Sequence, residues 1–201
     1  MKAALIVFDR MTYLDFVGFY DAVTRLKSMS ILPDFDWRIC SNVERVSDDR
    51  GPHGMTMVPE SIMEPLDGYD LLYLPGGMGT RTLQDDGAFI DWLKTASSVP
   101  LKVSVCTGAL LLGAAGFLRG KRATTHPSAL KDLEPHCGTV LAERIVDEGD
   151  VITGSGVATS LDLGLHVVER LAGAEARSRV AKQMCYPYLW KAESGPAPTR
   201  S

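Results

Sequence analysis

The 201-residue chain predicts an α/β fold, a three-layer sandwich with a mostly parallel central sheet and helices on both faces. Three observations carry this prediction. Apolar runs of strand length alternate along the chain with segments whose apolar residues recur at helical spacing. The strand runs are apolar throughout, as strands covered on both faces are. Two of them, DLLYL at 70–74 and LKVSV at 101–105, stop abruptly at PGGMG and at CTG, turns that lead toward helical segments.

Each element follows from its local pattern. Residues 2–8 form a continuous apolar run and a central strand. Segment 14–27 places Phe16, Phe19, Tyr20, Val23 and Leu26 on one face of a helix. A second strand spans 35–41, and 47–59 reads as a loop or short hairpin with turn signals at Gly51-Pro52 and Gly54. After the 70–74 strand a helix covers 86–97, and the 101–105 strand passes into a leucine-rich helix. A further strand is expected at 122–125, then a short helix at 128–133 introduced by Pro127. Runs 140–145 and 151–155 flank Asp147-Glu148-Gly149-Asp150, a hairpin signal. A long helix covers 158–171, and another starts at 174. Neither a repeat nor a linker divides the chain, so one domain over 1–192 is expected, with a flexible Pro-, Gly- and Ser-rich tail at 193–201.

Composition narrows the function. A hydrophobic fraction of 45% and a charged fraction of 23% are those of an ordinary globular protein. A net charge of -4 without a basic cluster argues against a nucleic-acid partner. Asp9 and Arg10 interrupt the opening apolar run too early for a signal peptide, and 109–118 is too short to span a bilayer. Cys40, Cys106, Cys137 and Cys185 are widely spaced, with neither a C-x-x-C pair nor a metal-ligand cluster. The expectation is a cytoplasmic protein with free thiols, no membrane association, no metal and no cofactor.

In sheets of this kind ligands gather beyond the carboxyl ends of the strands. Cys106 stands there, at a strand-to-helix junction where unpaired N–H groups and the helix dipole would expose and acidify a thiol. The bland alternative is a small buried hydrophobe. Asp15 opens the first helix, either as a first-turn acid complementing the dipole or as a proton donor and acceptor facing the cysteine. Gly76 and Gly77 lack the spacing of a nucleotide loop and are better read as backbone N–H donors to a developing anion. Among the histidines, His126 at the end of a strand is placed to approach the site. His53 and His136 read as solvated loop residues, and His166 as a packed or surface helix residue.

Three motifs, LDFVGFYDAV at 14–23, YDLLYLPGGMGT at 69–80 and VSVCTGALLLGAAGFLRGKRATTH at 103–126, resemble the ThiJ/PfpI superfamily and its flavodoxin-like, class I glutamine amidotransferase-like fold. The resemblance covers nearly the whole chain. Thr107 stands where peptidase-like members carry a histidine, and Thr125-His126-Pro127-Ser128 lacks the His-x-Glu pair of glutamine amidotransferases. Asp15 with Cys106-Thr107 is similar to the isonitrile hydratase subgroup, from which Pro127 departs by replacing a common aromatic residue. That resemblance implies Cys106 as nucleophile, Asp15 as the single acid and base, and Thr107 holding Asp15 or the water. It further implies Gly76, Gly77 and His126 around a small neutral substrate, and a homodimer. Glyoxalase-type or hydrolytic chemistry on another small electrophile, and a cysteine oxidation sensor, remain as alternatives. A ligand-sensing domain fused to a DNA-binding module is disfavoured, since no stretch outside the α/β domain reads as such a module.

Overall fold

The computed structural model describes residues 1–188; the end of the expected domain at 192 and the 193–201 tail lie outside the described residues. Strand β1 (Lys2–Val7) leads into helix α1 (Tyr13–Val23), followed by the short α2 (Arg25–Ser28) and strand β2 (Asp36–Ser41). Strands β3 (Val46–Ser47) and β4 (Thr56–Met57) make a small antiparallel hairpin, and β5 (Ser61–Ile62) follows. Next come β6 (Leu71–Leu74), α3 (Thr80–Leu83), α4 (Gly87–Lys94), β7 (Leu101–Val105) and α5 (Gly108–Ala114). The last part holds β8 (Arg122–Ala123), α6 (Leu130–Leu133), β9 (Thr139–Val140), β10 (Ile145–Asp147), β11 (Val151–Gly154) and α7 (Thr159–Gln183).

Seven strands form one sheet in the order β10-β11-β7-β6-β1-β2-β5. All neighbours are parallel except β10 and β11, which form the expected hairpin. The central strands β6 and β7 are buried along their whole length, and β1 from Ala3 onward, which is why their sequences run apolar instead of alternating. On one side α1 packs against α7. Small residues permit the close approach: a Cβ on Gly164 would stand 2.6 Å from that of Ala22, and one on Gly18 would stand 2.3 Å from Ser160 Oγ.

Two local expectations need correction. Strand 122–125 shrinks to Arg122–Ala123 and leaves the main sheet, pairing in parallel with Thr139–Val140 in a separate ribbon. Val140 therefore belongs to that ribbon, and the hairpin strand starts at Ile145 instead of 140. The edge strand β5 and the helix α3 were not expected; two and four residues are too short for a periodic signal. The long α7 contains a break at Gly173, with φ 87° and ψ 170°, so the expectation of a separate helix from 174 is met in backbone terms.

The topology locates the functional crevice. From β1 the chain moves to β2 on one side and then returns to place β6 on the other. The strand order reverses at the β1–β6 boundary, and ligands in open α/β sheets bind outside the carboxyl ends at such points. The first turn of α1, the loop after β6 and the junction after β7 meet there.

Candidate active site

Cys106 occupies the single residue between β7 and the Thr107 cap of α5, with φ at +55°. A non-glycine residue in this left-handed region costs about 1–2 kcal/mol and persists only where its surroundings hold it. Three contacts do so. The Cys106 N–H donates to the Gly154 carbonyl at 2.9 Å, and the Thr125 hydroxyl donates to the Cys106 carbonyl at 2.8 Å. Gly108 lets α5 start hard against the end of β6, since a Cβ there would lie 2.5 Å from the Leu74 carbonyl oxygen. This is an elbow, a sharp strand-to-helix turn that sets one side chain at the apex.

Asp15 sits in the first turn of α1 and is fully buried, at 0% exposure. Its Oδ2 accepts the Gly76 N–H at 3.0 Å, and its carbonyl accepts the Tyr73 hydroxyl at 2.5 Å. The Tyr73 ring lies flat on Phe19, with centroids 3.7 Å apart, which anchors the residue from beneath. Asp15 Oδ1 is buried with no hydrogen-bond partner recorded. The carboxyl group and the Cys106 thiol interact directly.

Their electrostatics correct the expectation of an exposed, acidified thiol. Cys106 is 5% exposed, and burial followed by the charge of Asp15 pushes its thiol up to about 12. The N–H and side chain of Thr107 at the start of α5 act in the favourable direction, but they are outweighed. Burial also pushes Asp15 up to about 7, against the lowering effect of the Gly76 N–H and the Cys106 contact. Two acids in contact titrate as a unit. The first proton leaves the pair near 7 and the second near 12, so the pair holds one proton across the interval.

The remaining expected site residues take supporting places. The Gly77 N–H donates to Thr107 Oγ1 at 3.0 Å, and the Thr107 hydroxyl donates back to the Gly77 carbonyl at 3.2 Å. The Thr107 hydroxyl thus ties two loops together instead of reaching Asp15. The N–H groups of Gly76 and Gly77, expected to face a developing anion, are already committed to Asp15 and Thr107. His126 turns to its own loop: its Nδ1 accepts the Ser128 N–H at 3.2 Å and lies 2.8 Å from Ser128 Oγ, capping the turn Pro127–Ala129. It is a local cap, with no bond to Cys106 or Asp15 recorded. His166 pairs with Asp147 at 2.8 Å, so it packs as expected. Among the described residues no group of three or more His, Cys, Asp and Glu side chains is arranged to hold a metal ion, and no helix is long and apolar enough to cross a membrane.

Sequence reasoning passed over Tyr73 and Thr125. Both lie in strand-like segments, and their polar ends are visible as site supports only when distant elements meet. Gly76 was noticed for a different reason from the one that makes it necessary. A Cβ on Gly76 would lie 2.6 Å from the Thr107 nitrogen, 2.7 Å from Cys106 Cβ and 2.9 Å from Asp15 Oδ2. Gly76→Ala should therefore push the acid and the thiol apart. A loss of roughly 100-fold in turnover is expected, since displacements near 1 Å cost that much. An alanine variant with parental turnover would show that the three groups need not meet at this point.

A buried cysteine at an elbow, faced by one carboxyl from the topological switch point, defines a class: α/β-sandwich proteins with a cysteine at a strand-to-helix elbow. The chain belongs to the DJ-1/PfpI family, which it matches over residues 1–170. It is 31% identical over 188 residues to the isonitrile hydratase of Pseudomonas putida, covering 92% of this chain and 78% of that protein. It is 30% identical over 122 residues to the glutathione-independent glyoxalase DJ-1 of Schizosaccharomyces pombe, covering 59% of this chain and 63% of that one. A crystal structure of a ThiJ/PfpI family protein from Pseudomonas syringae superposes with a TM-score of 0.83 at 27% identity, covering 100% of this chain and 78% of that one.

Proposed function

We propose that this chain is an isonitrile hydratase-like cytoplasmic enzyme that adds water to an isonitrile and releases an N-substituted formamide. The observation that carries the reading is the Asp15–Cys106 pair, two buried acids sharing one proton between about 7 and about 12. The reaction needs that inventory. With the shared proton on Asp15, the Cys106 sulfur adds to the terminal isonitrile carbon and forms the C–S bond. Asp15 delivers its proton to the same carbon, giving a thioimidate and leaving Asp15 as carboxylate. Water then attacks that carbon while Asp15 takes one of its protons and the imine nitrogen gains one from the pair. Cleavage of the C–S bond returns the sulfur and yields the formamide, with one proton again on the pair. No third titratable group is required, which suits the turning away of His126.

The same inventory sets the pH dependence. Below about 7 Asp15 keeps its own proton and cannot take the one on Cys106, so the rate should fall as pH drops through about 7. The test is formamide production from several alkyl and aryl isonitriles between pH 5 and pH 9. Absence of formamide from all of them removes the reading. A second reading, glyoxalase-type chemistry through the same cysteine, is favoured by the similarity to the glyoxalase DJ-1 of Schizosaccharomyces pombe. Methylglyoxal consumption without formamide production would select it.

The reading includes a homodimer. Leu14 and Val17, 49% and 44% exposed on one face of α1, supply an apolar surface for a second copy. Sedimentation of a single monomeric species at micromolar concentration would remove this part.

A further inference from the structure

Asp49 reaches the site from the β3–β4 hairpin, which in the sequence carries only turn signals. Its N–H donates to the Met11 carbonyl at 3.1 Å, and its Oδ2 accepts the Thr12 hydroxyl at 2.8 Å. Thr12 caps α1 and belongs to a closed ring of hydrogen bonds around the acid. The Asp15 N–H donates to the Thr12 carbonyl at 3.0 Å, the Thr12 N–H to the Gly76 carbonyl at 2.9 Å, and the Gly76 N–H to Asp15 Oδ2 at 3.0 Å. Asp49 grips this ring from outside. Its Oδ1 is shielded from solvent, with no hydrogen bond recorded; Arg50 Nε lies 3.4 Å away on a side chain that is 76% exposed. An ion pair with so exposed a partner compensates the charge only weakly.

We propose that Asp49 is a positioning residue for Asp15, clamping the opening of α1 through Thr12 and facing the buried acid with a second negative charge. Burial is the main reason why Asp15 keeps its proton to about 7, and Asp49 acts in the same direction. The charged and titratable groups around Asp15 come from three sides. Cys106 and Tyr73 lie at the neighbouring strand ends and Asp49 in the hairpin, with Arg50 paired to Asp49, while Asp48 and Asp9 act on Tyr13 in the first turn of α1. From α7, Ser160 meets this end of α1 by donating to the Leu14 carbonyl at 3.0 Å. Asp49 alone among the hairpin carboxylates is bonded to the cap of α1. Without its charge Asp15 ionises at lower pH.

The inference rests on Asp15 as the proton-carrying acid of the site and is indifferent to which electrophile is the substrate. It is tested by difference infrared spectroscopy, in which the protonated carboxyl band absent from Asp15→Asn reports the midpoint of Asp15. Asp49→Asn keeps an acceptor for Thr12 and removes the charge; the midpoint is expected to fall below its parental value. Thr12→Val cuts the clamp and keeps the charge; the midpoint is expected to stay near its parental value. An unchanged midpoint in Asp49→Asn overturns the proposal, as does an equal fall in Thr12→Val. Should Asp49→Asn fail to fold, Asp49→Ser carries the same test: it removes the charge, keeps an oxygen acceptor, and is expected to lower the midpoint. An unchanged midpoint there overturns the proposal. No isonitrile is needed, so failure of the hydratase reading and failure of this one are separable.

Discussion

Asp15→Asn is expected to give a protein that is more stable than its parent at pH 8 and without turnover. Asp15 is ionised with difficulty because it is buried, so its folded value is raised from 3.8 to about 7. A raised value means that the folded state binds more protons than the unfolded chain between those limits. Stability is then fully present below about 4, falls as pH rises, and has lost its whole contribution above about 7. At 1.36 kcal/mol per unit the loss approaches about 4 kcal/mol, an upper bound for an isosteric neutral replacement. Asparagine keeps an acceptor for the Gly76 N–H and has no charge to desolvate. Denaturant melts of parent and variant should nearly coincide at pH 4 and separate progressively toward pH 8. Parallel curves at every pH would mean that the carboxyl group is not held in this environment. The same variant loses the proton donor of the proposed reaction, so stability and activity move in opposite directions, as expected of a functional group kept in a costly place.

Cys106→Ala is expected to abolish turnover, by roughly 1000-fold or more, because removing a nucleophile leaves only binding and positioning effects. Its fold should survive. Alanine occupies the same left-handed position and keeps the main-chain bonds to Gly154 and Thr125. The substitution also has a consequence that does not depend on catalysis. The thiol contact lowers the Asp15 value, so without it Asp15 should hold its proton to still higher pH. The pH at which stability levels off should move upward in Cys106→Ala relative to the parent. Turnover retained in the variant would remove the nucleophile role. A stability profile unchanged in shape would remove the contact between the two acids.

The site was legible in the sequence to the extent that it is local. VSVCTG shows its strand, its cysteine and its helix start within a few residues, and LDFVGFYDAV shows Asp15 on a helix of apolar period. The glycines of PGGMG are equally plain, yet their use was misread. Their N–H groups serve Asp15 and Thr107, and Gly76 is required for the space it leaves. His126 looked available because it ends a strand-like segment, and its engagement by Ser128 two residues on was overlooked. Asp49 lay in a hairpin whose sequence shows turns only; its bond to Thr12 spans 37 positions.

What the sequence determined by itself is the alternation of buried strands and helices, the elbow at Cys106, and an acid at Asp15 in the opening turn of a helix. Apolar period and turn chemistry are properties of short windows, and a chain can write them locally. Tertiary structure alone decided that the thiol and the acid are buried together, so that both are pushed up and neither is acidified. Desolvation is set by atoms contributed from several distant segments at once. No window of residues contains that sum, and a helix start that lowers a thiol in water is overruled when the surrounding segments exclude the water.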